Sequence, residues 1–324
     1  MNEKIKRCIK QISGTALLLA FMICVFGLSG RNIMIAKAYY SGGYLSSASV
    51  KQVGMEATSI TCSWPAVSGA VKYKVSIGAD YSTVREVGTT TVPQYTFTNL
   101  KDGMQYYVMI QPVDAKGEYS YGSKVMMETL PTTVTNFKQE KWWYFIKKLE
   151  VRWDKQPSVD GYKVNLYNSK NKRVKTVTAT KYASSASFAN MKDEVYTVKI
   201  YGYKKWNGKT YKTKTATITC MNQARITKCR VSGKKLTVKW NKVGGASGYD
   251  IYVSTKKNSG YKKVKTVGSK VTSATISKLK RKSFNAKKPY YVYVQTRIKR
   301  GKKTNTSGAL YYWNSKNTGF GYLN

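Results

Sequence analysis

Apolar and polar residues alternate along most of this chain with a period of two. Ile60-x-Cys62-x-Trp64, Leu149-x-Val151-x-Trp153 and Leu236-x-Val238-x-Trp240 each turn one apolar face inward, as half-buried β-strands do. A second alternating run follows each tryptophan: Tyr73-x-Val75-x-Ile77, Tyr162-x-Val164-x-Leu166 and Tyr249-x-Ile251-x-Val253. A third comes later: Tyr106-x-Val108-x-Ile110, Tyr196-x-Val198-x-Ile200 and Tyr290-x-Val292-x-Val294. Glycine turns follow these runs at Gly117, Gly208 and Gly301. Asn207-Gly208 is the strongest hairpin signal, because both residues tolerate the positive φ of a two-residue turn. Helical periodicity is absent, and Pro65, Pro93, Pro131, Pro157 and Pro289 fall at expected strand ends and loops. The pattern predicts an all-β protein.

It also repeats. Trp64 precedes Tyr73 by nine residues, Trp153 precedes Tyr162 by nine, and Trp240 precedes Tyr249 by nine. The tryptophans lie 89 and 87 residues apart. Such a period is too long for a solenoid unit and suits one small β-sandwich per repeat. Trp64, Tyr73, Tyr106, Trp153, Tyr162, Tyr196, Trp240, Tyr249 and Tyr290 are expected in the cores, where each ring buries ~150–250 Å². They are therefore read as structural, not as ligand contacts.

These residues carry a resemblance. A strand-B tryptophan, a strand-C tyrosine and a strand-F tyrosine resemble the fibronectin type III domain, and Leu100 precedes Tyr106 by six as in that family's tyrosine corner. Gly245 to Val267 and Tyr203 to Tyr211 are similar to tandem modules secreted by Gram-positive gut bacteria. The resemblance spans Val50 to Trp313. It implies three tandem immunoglobulin-like sandwiches at residues 47–130, 131–221 and 222–316, with a linker at 39–46 and a tail at 317–324. It further implies a non-catalytic binding or adhesion role at the cell surface. Two departures bear on the corner loops: Met191 precedes Tyr196 by five, and KRKSFNAKKP separates Leu279 from Tyr290.

Residues 1–38 read as a cleaved signal peptide. Lys4, Lys6, Arg7 and Lys10 precede an apolar run from Thr15 to Leu28, and Ala36-Lys37-Ala38 supplies a cleavage pattern. That run is short for a membrane span, and no second one follows. The mature chain is therefore expected to start at Tyr39, to be secreted, and to be extracellular or cell-wall associated. Its cysteines are Cys62, Cys220 and Cys229, an odd number that cannot fully pair. Cys62 aligns with Val151 and Val238 and is expected as a small buried hydrophobe. A disulfide between Cys220 and Cys229 requires the chain to turn back on itself.

Charge is graded. Tyr39 to Pro131 holds seven basic and seven acidic residues, Thr132 to Asn222 nineteen and six, and Gln223 to Asn324 twenty-five and one. Net charge thus climbs from zero to +13 to +24, which implies an anionic partner for the last two copies. The candidate ligand-binding residues are Lys256, Lys257, Lys262, Lys263, Arg297, Lys299, Arg300, Lys302 and Lys303. Basic runs also occur at Lys278 to Lys282 and Lys287-Lys288. Alternation puts Tyr252, Tyr291 and Tyr293 on the outer face of the same sheet, where rings interleaved with cations suit a polyanion or a sugar; cross-strand stabilisation of the sheet is the alternative. Tyr203 and Trp206, with Tyr211 beside them, mark the hairpin tip of the second copy; Trp206 is expected either to pack on a neighbour or to meet a glycan or protein. Trp142-Trp143-Tyr144 is read as a contact with the end of the first copy.

Catalytic machinery is not visible. The chain has no histidine, hence neither the commonest general base nor a usual metal ligand. The third copy contains only Asp250, so it cannot supply a pair of catalytic carboxylates. No phosphate loop, cofactor site or base-reading motif is present. The leading expectation is retention on an anionic envelope polymer, such as teichoic acid, or on a glycosaminoglycan. Carbohydrate or host-ligand adhesion through exposed aromatics, and service as structural spacers, are the alternatives.

Overall fold

The computed structural model describes residues 45–143, 146–316 and 319–323. The expected signal peptide lies outside the described residues, as do Tyr144 and most of the 39–46 linker. No helix among the described residues is long and apolar enough to cross a membrane. Residues 46–324 form one compact unit of three β-sandwiches.

Each sandwich packs a three-stranded antiparallel sheet against a larger one. The first joins Lys51–Met55, Ile60–Ser63 and Gln94–Phe97, facing Arg85–Thr90, Lys72–Gly78, Gln105–Val113 and Lys124–Glu128. The second and third repeat this order. In the second, Tyr196–Trp206 pairs both with its hairpin partner Lys209–Lys212 and with Ala216–Cys220. In the third, Tyr291–Arg300 does the same with Lys303–Thr306 and Tyr311–Asn314. Residues 320–322, expected in a tail, instead form a further strand of the third sandwich, with Trp313 opposite Phe320 and Tyr311 opposite Tyr322. The turn at Asn207-Gly208 has φ of 46° and 73°, which permits a direct two-residue reversal.

The spacing of the repeated Trp–Tyr pair has a structural cause. The rings meet at centroid distances of 5.2, 5.1 and 5.5 Å for Trp64–Tyr73, Trp153–Tyr162 and Trp240–Tyr249. Each tyrosine hydroxyl then accepts a hydrogen bond from the backbone N–H six residues earlier: Val67 at 3.0 Å, Gln156 at 2.8 Å and Val243 at 2.8 Å. One ring therefore fills the core while its polar tip clamps the loop leading into its own strand. Burial raises the pKa of Tyr162 and Tyr249, although these backbone bonds act in the opposite direction.

The second clamp is the tyrosine corner, and it forms in all three copies despite the sequence departures. The hydroxyls of Tyr106, Tyr196 and Tyr290 accept from the backbone N–H of Lys101, Lys192 and Asn285 at 2.9, 3.2 and 3.0 Å. The shorter loop of copy two moves the donor from five residues upstream to four. In copy three Phe284, six residues before Tyr290, takes the place of Leu100. All nine anchor rings are buried.

Among the described residues, the thiols of Cys62, Cys220 and Cys229 are free and buried. Cys220 lies in the second core and Cys229 in the third, so no staple joins them. Burial pushes Cys62 up to about 11 and Cys229 up to about 12, and raises Cys220 as well. Trp142, expected at a contact with the first copy, is instead a core residue of the second, 5.8 Å from the Tyr196 ring.

Candidate functional site

Eight of the nine candidate cations of the third sandwich fall into two groups. Lys256, Lys257, Lys262 and Lys263 surround the loop after Gly248–Ser254, whereas Lys299, Arg300, Lys302 and Lys303 form the tip of the 291–306 hairpin. Gly248 pairs with Arg297 and Ser254 with Tyr291, so the groups sit at opposite ends of one sheet. Six residues of strand separate them, roughly 20 Å. The structure does not bring them into one pocket. All eight are exposed, and the ninth, Arg297, is half-buried.

Two of the nine are already engaged. Asp250, 4 % exposed, lies beneath the sheet's outer face and accepts from the Thr266 hydroxyl at 2.6 Å. Its carboxylate is 3.5 Å from the Arg297 guanidinium and 3.7 Å from the Lys263 ammonium. No second acid occurs from Gln223 onward. The other seven candidate cations therefore have no second carboxylate within this sandwich.

The outer tyrosines are packed together. Tyr252 stacks on Tyr293 at 4.8 Å, Tyr261 lies tilted against Tyr293 at 4.8 Å, and Tyr291 meets Tyr312 edge-on at 5.2 Å. Tyr293, expected as an exposed ligand contact, is 9 % exposed. Burial, with Tyr252 alongside, pushes its hydroxyl up to about 12. Alternation placed Tyr291 and Tyr293 on this face correctly. It did not show that the loop carrying Tyr261, whose hydroxyl donates to the Lys257 carbonyl at 2.7 Å, folds over them. The cluster holds the sheet and that basic loop in place; a stacked sugar would have to displace Tyr261.

In the second sandwich Tyr203 and Trp206 are half-buried near the hairpin end. That end meets the first sandwich. Lys204, between them, forms an ion pair with Glu128 of the first sandwich and lies 3.3 Å from Asp160. Burial alone pulls the Lys204 pKa down, but the hydrogen bond and charge of Glu128, with Asp160 behind them, more than reverse this and raise it. The Lys204 side chain is 14 % exposed, so removal of its charge leaves Glu128 unpaired in a poorly solvated joint. Lys204→Gln is expected to destabilise the joint by about 2 kcal/mol, between exposed and buried ion pairs. Thermal unfolding and small-angle scattering would detect this; an unchanged Tm and unchanged dimensions would contradict it.

Sequence reasoning missed a second joint element. Asp102 accepts from the Thr132 N–H at 3.1 Å and from its hydroxyl, and Asp193 accepts from the Asn222 amide at 2.9 Å. Both acids sit two residues after the corner residue, Leu100 or Met191. Val195 of the second copy continues into the core of the third. No group of His, Cys, Asp or Glu able to hold a metal occurs among the described residues.

Residues 48–127 match the fibronectin type III domain. The second and third sandwiches repeat the strand order, Trp–Tyr clamp and corner of that segment. Among solved structures, the FN1-FN3 domains of chicken CNTN1 are similar at 15 % identity and a TM-score of 0.34, covering 84 % of this chain and 98 % of that one. A two-domain fibronectin type III segment from chicken tenascin gives 13 % identity and 0.32, covering 55 % of this chain and 99 % of that one. No curated protein matches the chain.

Proposed function

We propose that this is a secreted, non-catalytic binding protein held on an anionic cell-envelope polymer by its second and third sandwiches, with the near-neutral first displayed outward. Fibronectin type III domains are found as binding, adhesion or spacer modules, a setting consistent with a non-catalytic role. The observation that carries the reading is the charge gradient: the third sandwich has twenty-five cations and one acid, and that acid is spent on Arg297 and Lys263. Aromatic recognition has weaker support, because Tyr293 is buried and Trp206 is half-buried.

Charge retention makes two demands. Binding to a soluble polyanion should collapse as salt rises from about 50 to about 300 mM, as counterion release requires, and Trp206→Ala should leave it unchanged. Salt-insensitive binding that Trp206→Ala abolishes would instead favour a neutral glycan. Binding should also be flat from about pH 5.5 to 8, because the chain has no histidine.

Stability has a pH limit at the alkaline side. Folding raises the thiols from their ordinary 9.0 to about 11 in Cys62 and about 12 in Cys229. The neutral thiol is the form favoured in the folded state. This stabilisation is complete below 9.0 and fades as pH climbs through the folded values. A Tm series from about pH 7 to 11 should be level and then fall, with the buried tyrosines Tyr162, Tyr249 and Tyr293 contributing beside the thiols because burial raises them too; a fall of undiminished size after Cys62, Cys220 and Cys229 are replaced by valine would contradict the thiol contribution.

A further inference from the structure

The first two sandwiches pass from Phe97 to Leu100 and from Phe188 to Met191 through a single left-handed asparagine, Asn99 with φ 58° or Asn190 with φ 56°. The third passes from Ile276 to Phe284 through an inserted hairpin, Lys278–Leu279 paired with Lys282–Ser283. Its two turn residues are Lys280 and Arg281, with φ of 49° and 69°. Positive φ at both turn positions strongly favours Asn-Gly, and side chains such as these are strained there. The corner does not need the insert, since copies one and two close without it. Leu279, 8 % exposed, anchors the hairpin in the core, while Lys278, Lys280, Arg281 and Lys282 are all exposed.

Further cations surround the hairpin. The Phe284 N–H donates to the Lys234 carbonyl at 3.2 Å, which fixes the insert beside the exposed Lys234 turn. The Asn285 side chain accepts from the Lys287 N–H at 2.8 Å and its backbone carbonyl from the Lys288 N–H at 3.0 Å, so those two lysines are presented on a fixed turn. The acids that occupy this end in the other copies, Asp102 and Asp193, are replaced here by Ala286. Where the first two sandwiches use a carboxylate to hold the chain entering the next sandwich, the third has only cations.

Resting on the charge-based reading of the function, we propose that this end of the third sandwich, centred on the 278–283 hairpin, is the binding site for a linear polymer carrying a tetrahedral oxyanion, phosphodiester or sulfate ester, on each repeat. Lysine ammoniums on flexible stems suit a chain of spaced oxyanions, each reached as a point charge. Asn-Gly in place of Lys280-Arg281 would relax the turn but remove two of the charges. The hairpin tip at Lys299 to Lys303 lies at the opposite end of the sandwich, beside the second copy.

The test uses residues 39–324 and two variants that remove four charges each. One combines Lys278→Gln, Lys280→Asn, Arg281→Gly and Lys282→Gln; the other combines Lys299→Gln, Arg300→Gln, Lys302→Gln and Lys303→Gln. Long-chain inorganic polyphosphate and dextran sulfate are the probes, in separate titrations. The insert variant should lose at least tenfold in affinity for one or both polymers, and the polymer that discriminates identifies the oxyanion. The 299–303 variant, which removes the competing group of cations, should lose clearly less than the insert variant. Equal losses would overturn this site while leaving retention by net charge intact, and absence of binding by the unaltered chain would overturn both. Lys280→Asn with Arg281→Gly alone should raise Tm and weaken binding together; a higher Tm with unchanged affinity would reduce the hairpin to a structural turn and overturn the proposal.

Discussion

Ending the chain at Asn222 is expected to abolish most binding to isolated anionic polymer. The truncation removes twenty-five cations and one acid, leaving residues 39–222 with +13, all of it on the second sandwich. Every phosphate that is no longer neutralised lowers the slope of log affinity against log salt by about 0.7 to 0.9. Five or six such phosphates amount to a hundredfold or more at near-physiological salt, by the same relation. Sedimentation or surface binding of the two lengths, at matched salt, measures it. Equal binding by the truncated chain would move the site to the second sandwich, and equal binding by residues 39–130 alone would refute charge as the cause, since that segment is neutral.

Trp153→Ala should unfold the second sandwich. Trp153 is 2 % exposed and its ring lies 5.1 Å from that of Tyr162. A buried tryptophan replaced by alanine costs about 3–5 kcal/mol, a large part of what a domain of this size possesses. The buried thiols report which sandwich fails. Cys220 is 0 % exposed in the second core, while Cys62 lies in the first. Mass-resolved thiol labelling should find Cys220 modified rapidly in the variant and Cys62 still protected. Protection of Cys220 as strong as in the unaltered chain would show that the ring is dispensable. Simultaneous exposure of Cys62 would show that the sandwiches unfold as one unit, not singly.

The anchors were legible because alternation and a fixed nine-residue spacing report directly on strands and on a clamp that recurs at that spacing in every copy. The third corner was not, because the inserted hairpin hides Phe284: Leu279 also reaches the core, so the apolar pattern alone offers two candidates for one position. The strand at 320–322 was missed because Phe320-Gly321-Tyr322 is too short to show a period. The roles of Asp102 and Asp193 depend on which loop meets the next linker, a tertiary fact with no local pattern. Charge grading needed only counting, but the segregation of its cations to opposite ends of one sheet needed the register. Covering of Tyr293 by Tyr261 depends on how a loop folds, which alternation does not address.

Retention by charge is tested most directly by a pull-down of residues 39–324 on cell walls, intact and stripped of their anionic polymers, over a salt series. Binding to intact walls should fall steeply with salt and be lost on stripped walls. Binding that survives both stripping and high salt would contradict retention by charge.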